Sequence, residues 1–266
     1  LCLSLRTVDG RPLAVEGRGA LLERDGPRAA QLLIRDISLR RECEARLLAS
    51  LDRQRTTESA AILALAKLSE YRDLTPGRHL ERIREYSRLL AEQLALRTEF
   101  AALLTPAAIQ DFQQAALLHD IGKVGIRDAI LFKTGPLSGL VEEVLRNHTL
   151  TGGDVLKAME AEARARSFLG LAKNIAYFHH ERWDGTGYPY GLRGEAIPLE
   201  ALILHLADAY EGLTVADAAQ APLGDDQAVA RIRGSAGLCF DPAVVEAFLA
   251  CEEAFDRVRR SLAETA

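Results

Sequence analysis

"TPAAIQDFQQAALLHD", residues 105–120, is the stretch whose reading decides how this chain folds. Thr105 before Pro106 reads as an N-cap followed by a proline whose fixed φ suits the first helical position. Ile109, Phe112 and Ala116 then recur at helical spacing, so one face of the helix turns inward. That same face ends on His119, with Asp120 beside it. A helix with this pattern delivers an imidazole and a carboxylate to the protein interior.

The pattern repeats along the chain. On a helix over 76–97, His79 shares a face with Ile83, Tyr86 and Leu90. Over 138–148, Val141, Val144 and Leu145 lead to His148. Over 168–180, Ala172, Ile175 and Ala176 lead to His179, with His180 on the neighbouring row. Over 198–214, Leu204 sits one turn before Asp208. One inward histidine is ordinarily a core residue bonded to a carbonyl. Burying this many ionisable groups separately would cost several kcal/mol each, which a shared cation removes. Imidazole and carboxylate are ordinary transition-metal ligands. The seven candidates, His79, His119, Asp120, His148, His179, His180 and Asp208, are too many for one ion. They imply two, with Asp120 as the natural bridge. Two metals about 3.5–4 Å apart hold and polarise a phosphate and generate hydroxide at neutral pH, which is phosphodiester hydrolysis chemistry. Lys123 lies one turn beyond His119 and Asp120, where it can hold phosphate charge or assist the leaving oxygen; a plain surface lysine is the alternative.

The bulk numbers narrow the class. The chain has 266 residues, 48% of them hydrophobic, with a net charge of −5 spread evenly. Nothing marks a phosphate-tracking surface, so no DNA partner is expected. Cys2, Cys43, Cys239 and Cys251 are scattered without a C-x-x-C, which points to reduced thiols and a cytoplasmic location. No apolar run approaches the roughly 18 residues of a membrane span. The chain begins at Leu1 and its only methionine is Met159, so it reads as part of a longer protein.

Residues 1–37 read as about three antiparallel strands, separated by Asp9-Gly10 and Asp25-Gly26-Pro27. Three strands bury too little to fold alone, so more sheet is expected ahead of Leu1. Residues 38–58 read as a linker helix with Leu39, Cys43, Leu47 and Leu51 spaced by four and a Glu42–Arg46 pair. A coiled coil between protomers and a solvated single helix both fit it. Residues 59–266 read as one all-α domain, with helices at 59–72, 76–97, 106–121, 138–148, 168–180, 198–214 and 242–262. Thr75-Pro76 and Asp241-Pro242 repeat the cap-and-proline signal. The expected fold class is mainly α, with a small N-terminal antiparallel β segment and a connecting helix.

These residues carry a family resemblance. "HDIGK" at 119–123 resembles the signature of the HD phosphohydrolases, and "HHERWDGTGYP" at 179–189 resembles the HD-GYP subfamily. Asp73, "HLER" at 79–82, His148 with Gly152, "GLRGEAIPLEA" at 191–201, "ADAY" at 207–210 and "GLCFDP" at 237–242 extend the match from about Glu70 to Phe248. Residues 1–37, with the exit Asp36-Ile37-Ser38, resemble the C-terminal half of a PAS sensory domain.

The resemblance implies an HD-type helical bundle that hydrolyses cyclic di-GMP to linear pGpG and onward to GMP, in bacterial second-messenger signalling. It implies that His79, His119, Asp120 and Asp208 bind one metal. His148, His179 and His180 would bind the second, with Asp120 bridging. The implied cofactors are two divalent transition-metal ions, iron or manganese. Asp120 and Lys123 carry the implied catalytic roles. Gly187, Tyr188 and Pro189 would shape the substrate loop, with Tyr188 near the nucleotide. The implied partners are cyclic di-GMP or a related cyclic dinucleotide, a second copy through the linker helix, and a diguanylate cyclase (GGDEF) protein.

Three departures qualify this. Family members with a third metal carry glutamate four residues before the histidine matching His79; Thr75 stands there, so two metals are expected. Asp217-Ala218-Ala219-Gln220 stands where the family has Arg-Pro-Tyr-Lys. Losing a charge-assisted phosphate contact costs on the order of 1.5–3 kcal/mol, and an acid adds repulsion. "EGLT" at 211–214 replaces the more usual Asp-Ala-Leu-Thr. The alternatives are therefore a phosphodiesterase for another cyclic dinucleotide, or a degenerate module that binds nucleotide or a partner protein without efficient turnover.

Overall fold

The lack of any glycine or proline between Ser38 and Glu70 leaves nothing to interrupt a helix there. In the computed structural model this stretch is a single 33-residue helix, α1 (Ser38–Glu70). The expected division into a linker helix over 38–58 and a separate helix from 59 is therefore replaced by one continuous element. Structure is described for residues 2–10, 12–22, 29–70, 78–133, 139–162, 168–215 and 221–263.

Residues 1–60 and 61–266 form two compact units. In the first, β1 (Cys2–Arg6), β2 (Pro12–Leu22) and β3 (Ala29–Asp36) make an antiparallel sheet in sequential order. Gly10 takes φ +79° in the turn after Asp9, as the Asp-Gly signal requires. The second turn, Asp25-Gly26-Pro27, lies outside the described residues. Val15 is buried, whereas Leu32, Leu33 and Ile34 stay at least half exposed. Ser38 N–H donates to Asp36 Oδ1 at 2.8 Å where the sheet hands over to α1. The Glu42–Arg46 pair forms at 2.6 Å.

The second unit continues with α2 (His79–Ala95), α3 (Thr98–Ala101), α4 (Pro106–Ala116), α5 (Asp128–Leu131) and α6 (Gly139–Arg146). It closes with α7 (His148–Glu162), α8 (Leu169–Phe178), α9 (Leu199–Thr214), α10 (Asp225–Gly234) and α11 (Pro242–Ser261). Thr105 Oγ1 accepts from Ala108 N and Asp241 Oδ1 from Ala243 N, so two of the sequence-read caps are made. The third, Thr75-Pro76, lies outside the described residues, and α2 starts only at His79 because Arg78 is still non-helical.

α2 packs against α4, α9 and α11. Its inward face, Leu80, Ile83, Tyr86, Leu90 and Leu94, is fully buried and forms the centre of the core. Besides the four-residue α3 and α5, two longer helices escape the periodicity reading. α7 carries Gly152 and Gly153 in its second turn, poor helix formers that are present because neighbours approach closely. A Cβ on Gly153 would overlap the Tyr177 ring of α8. α10 buries only Ala228, Val229 and Ile232, too narrow a stripe to stand out. No helix among the described residues is long and apolar enough to cross a membrane.

Candidate metal centre

The inward-facing polar residues gather where helices end. α4 stops at Ala116, so His119 and Asp120 lie in the turn beyond it rather than inside a helix reaching 121. α8 stops at Phe178, just before His179 and His180. α6 stops at Arg146, and His148 opens α7 instead of closing the helix before it. His79 opens α2, and Asp208 alone sits inside a helix, α9.

Helix ends leave carbonyls without intrahelical partners, and imidazoles can take them. Nδ1 of His119 donates to Ala116 O at 2.9 Å, Nδ1 of His148 to Leu145 O at 2.7 Å, and Nδ1 of His179 to Ile175 O at 2.9 Å. A carbonyl can only accept, so each Nδ1 carries its hydrogen and each ring turns Nε2 toward the cluster. A 3₁₀ turn over Ile121–Gly125 follows and carries Lys123. Gly122 in that turn presses on α7, where any Cβ would overlap the His148 carbonyl oxygen.

Among the described residues, all seven sequence-read donors fall into two groups. Asp120, His148, His179 and His180 form one; His79, His119 and Asp208 form the other. Asp120 reaches both: Oδ1 lies 3.2 Å from His148 Nε2 and 3.7 Å from His179 Nε2, and Oδ2 lies 3.2 Å from His119 Nε2. Lys123 Nζ is 2.8 Å from the same Oδ2. The side chains of His119 and His179 are sealed, while Asp120 keeps 22% of its side chain exposed, so the cluster opens to a ligand through Asp120.

The donor set fits a cation. His148 Nε2 and His179 Nε2 face each other at 3.5 Å, although both rings have given their Nδ1 hydrogens elsewhere. Two facing lone pairs repel unless a proton or a metal lies between them. His119 Nε2 and Asp120 Oδ1 are likewise buried without a hydrogen-bond partner. Such groups, left bare, are costly in a low-dielectric interior. The cluster can therefore hold divalent metal.

The electrostatics of the two groups differ. Burial works against a charge on His119, yet Asp120, with Asp208 behind it, pushes its pKa up to about 9. Burial also works against ionising Asp120, but Lys123 and His119 hold its carboxyl well below the usual range. Burial lowers the pKa of His179, and lowers that of His180 further with help from the neighbouring His179. The His119 side thus attracts positive charge, and the His179–His180 side keeps its imidazoles neutral and ready to ligate.

The loop after His180 is held from inside. Glu181 is fully buried, and its two carboxylate oxygens accept from Tyr190 N at 2.8 Å and Leu192 N at 3.0 Å. Trp183 N and Asp184 N donate to Cys239 O and Leu238 O, which is how the 237–242 segment supports the loop. A Cβ on Gly187 would overlap Arg182 N, and Tyr188-Pro189 is a cis peptide. The Tyr188 ring stacks on His180 at 4.7 Å between centroids, and the Arg146 guanidinium lies 4.8 Å from the Tyr188 ring centroid. Lys123, Arg146, His148, His180 and Tyr188 line a cleft of about 370 Å³ beside the cluster.

Five further residues shape the site without having been singled out from the sequence. His205 donates from Nδ1 to His179 O at 2.8 Å, one turn before Asp208 on the same helix face. Arg82 contacts Glu211 through Nη2 at 2.6 Å, and Glu211 Oε1 lies 3.4 Å from His79 Nδ1. The glutamate of "EGLT" thus orients a donor. Glu181 and Arg146 complete the set; Glu181, Arg82 and Glu211 lay within quoted motifs, where no role was read for them, and His205 and Arg146 lay outside any. Asp217–Gln220 lies outside the described residues.

The sequence model of the HD domain family matches residues 64–244. A cyclic di-GMP phosphodiesterase of Vibrio cholerae serotype O1 is 46% identical over 201 residues, covering 76% of this chain and 41% of that protein. A probable cyclic di-GMP phosphodiesterase of the same organism is 41% identical over 208 residues, covering 78% and 47%. Its 3′3′-cGAMP-specific phosphodiesterase 2 is 32% identical over 208 residues, covering 78% and 37%. The chain spans less than half the length of each of these relatives.

Proposed function

The chain belongs to the HD domain family, and on that premise we propose that it is a metal-dependent phosphodiesterase opening cyclic di-GMP to linear pGpG. The observation that carries this reading is Asp120, whose two oxygens face His119 on one side and His148 and His179 on the other. That arrangement suits a binuclear centre with Asp120 as the bridge. An imidazole and carboxylate set without thiolate suits iron or manganese. What the bound ions supply is Lewis-acid polarisation of the phosphodiester and a nucleophile from water at neutral pH.

The chain's own residues do the rest. His119, His148 and His179 present Nε2 because helix-end carbonyls occupy Nδ1. Lys123 lies at the cleft, where its ammonium meets phosphate charge as it builds. Tyr188, backed by His180, offers an aromatic face to a purine, with Gly187 and Pro189 setting its position. Water adds to phosphorus and the bond to the 3′-oxygen breaks, so one cyclic dinucleotide and one water give one linear dinucleotide.

A second reading keeps the chemistry and changes the substrate to 3′3′-cGAMP. It is favoured by the likeness to the cGAMP-specific enzyme and by Asp217 in place of a phosphate-binding arginine. The N-terminal sheet leading into α1 is read as the end of a sensory domain, and exposed Leu39, Leu47 and Leu51 support self-association along α1. Anaerobic purification, metal analysis and turnover of both dinucleotides test the whole. Two metals with hydrolysis of cyclic di-GMP preferred support the first reading, and preference for cGAMP supports the second. Bound metal with no turnover of either would leave a binding module in their place.

A further inference from the structure

Glu70, the last residue of α1, sits against the cluster but belongs to neither donor group. Its Oε1 is buried and has no hydrogen-bond partner. That atom lies 3.9 Å from His79 Nε2, while the other ring nitrogen of His79 faces Glu211. Glu211 has the Arg82 guanidinium at 2.6 Å to offset its charge. The neighbouring Lys67 is taken up by Glu81 at 2.6 Å. A cavity of about 10 Å³ is bounded by Glu70, His79, Asp120 and Lys123, among others. That space suits one water or one ion. The end of α1 is anchored there, since Ser69 Oγ donates to Asp120 O at 3.3 Å.

A buried carboxylate oxygen without a partner is among the most costly groups a fold can hold. The nearest way to offset it is positive charge beside His79. We propose that Glu70 is a further carboxylate of the metal site, holding by its charge the cation taken by His79, His119 and Asp208. This rests on the reading of the cluster as a metal centre. Glu70 adds a carboxylate to those of the two donor groups, and it makes the last residue of α1 part of the site.

The test compares Glu70→Gln and Glu70→Asp with the unaltered chain, all stripped with chelator and titrated anaerobically with Mn(II). Bound metal is read by elemental analysis, and thermal unfolding is followed with and without metal. Glu70→Gln is expected to bind the cation on the His79 side on the order of 10–100-fold more weakly, the range seen when a supporting carboxylate is lost. Binding on the His148 side should persist. The stripped Glu70→Gln protein should melt no lower than the stripped unaltered chain, and gain less on adding metal. Glu70→Asp, which keeps the charge, should bind more tightly than Glu70→Gln. Unchanged affinity in Glu70→Gln, or equal weakening by both variants, would overturn the proposal. These outcomes are read from metal alone, so a chain that binds metal but hydrolyses no dinucleotide refutes the phosphodiesterase reading and leaves this one standing. A chain that binds no metal overturns both.

Discussion

Tyr86 of α2 and Tyr210 of α9 meet Phe248 and Phe255 of α11 with ring centroids 4.5–5.6 Å apart. On the same two helices, His79 precedes Tyr86 by two turns and Asp208 precedes Tyr210 by two residues, and there the neighbours are His119 and Asp120. The aromatic cluster is held by dispersion and by area removed from water, and edge-to-face rings add to both. The polar cluster leaves Nε2 of His119 and Oδ1 of Asp120 buried and bare. One region is complete with what the chain carries, and the other offers donors that a cation could complete. On α2 the donor and the ring are thus two turns apart along the helix, whereas on α9 they sit two residues apart on different sides of it.

Breaking the polar region should have the largest effect on function. Asp120→Ala removes the carboxylate both groups share; dinucleotide turnover should fall to the level of a blank and metal content should drop, as a turnover assay with elemental analysis will read. Breaking the aromatic region should do the reverse. Phe255→Ala is expected to lower unfolding free energy by about 3–5 kcal/mol in denaturant titration, with metal stoichiometry unchanged. Loss of metal there would mean that the two regions are not independent.

Two smaller effects sharpen the comparison at the rim. Gly187→Ala forces a methyl group into the Arg182 backbone and should destabilise by about 1–3 kcal/mol, lowering kcat/KM while leaving bound metal intact. Arg146→Ala removes the guanidinium over Tyr188, a contact worth about 0.5–1 kcal/mol at an exposed site, and should raise KM roughly two- to fivefold without touching kcat.

Much of the site is legible in the sequence. His79, His119, Asp120, His148, His179, His180 and Asp208 are legible because an ionisable side chain at the end of an apolar stripe stands out against its own helix. Boundaries were less legible. His148 fits the stripe of α6 by spacing, yet it begins α7, since continuing a helical pattern costs nothing in sequence and the break at Asn147 shows only in the backbone. Glu181 was hidden for another reason. It is charged and follows two histidines, so it reads as a solvated residue, and only the closure of the loop over it makes it a buried anchor.

By itself the sequence determined which donors exist and which helix faces they share with the core, because the 3.6-residue period is local and survives without tertiary contacts. It also determined two caps, at Thr105 and Asp241, for the same reason. The tertiary structure alone decided which donors stand together, which nitrogen each imidazole presents, and that Glu70, Glu211 and Arg146 border the site. Those facts depend on how helices cross and where they stop. Arg82 and Glu211 pair across 129 positions of sequence, and no local pattern records a distance of that kind.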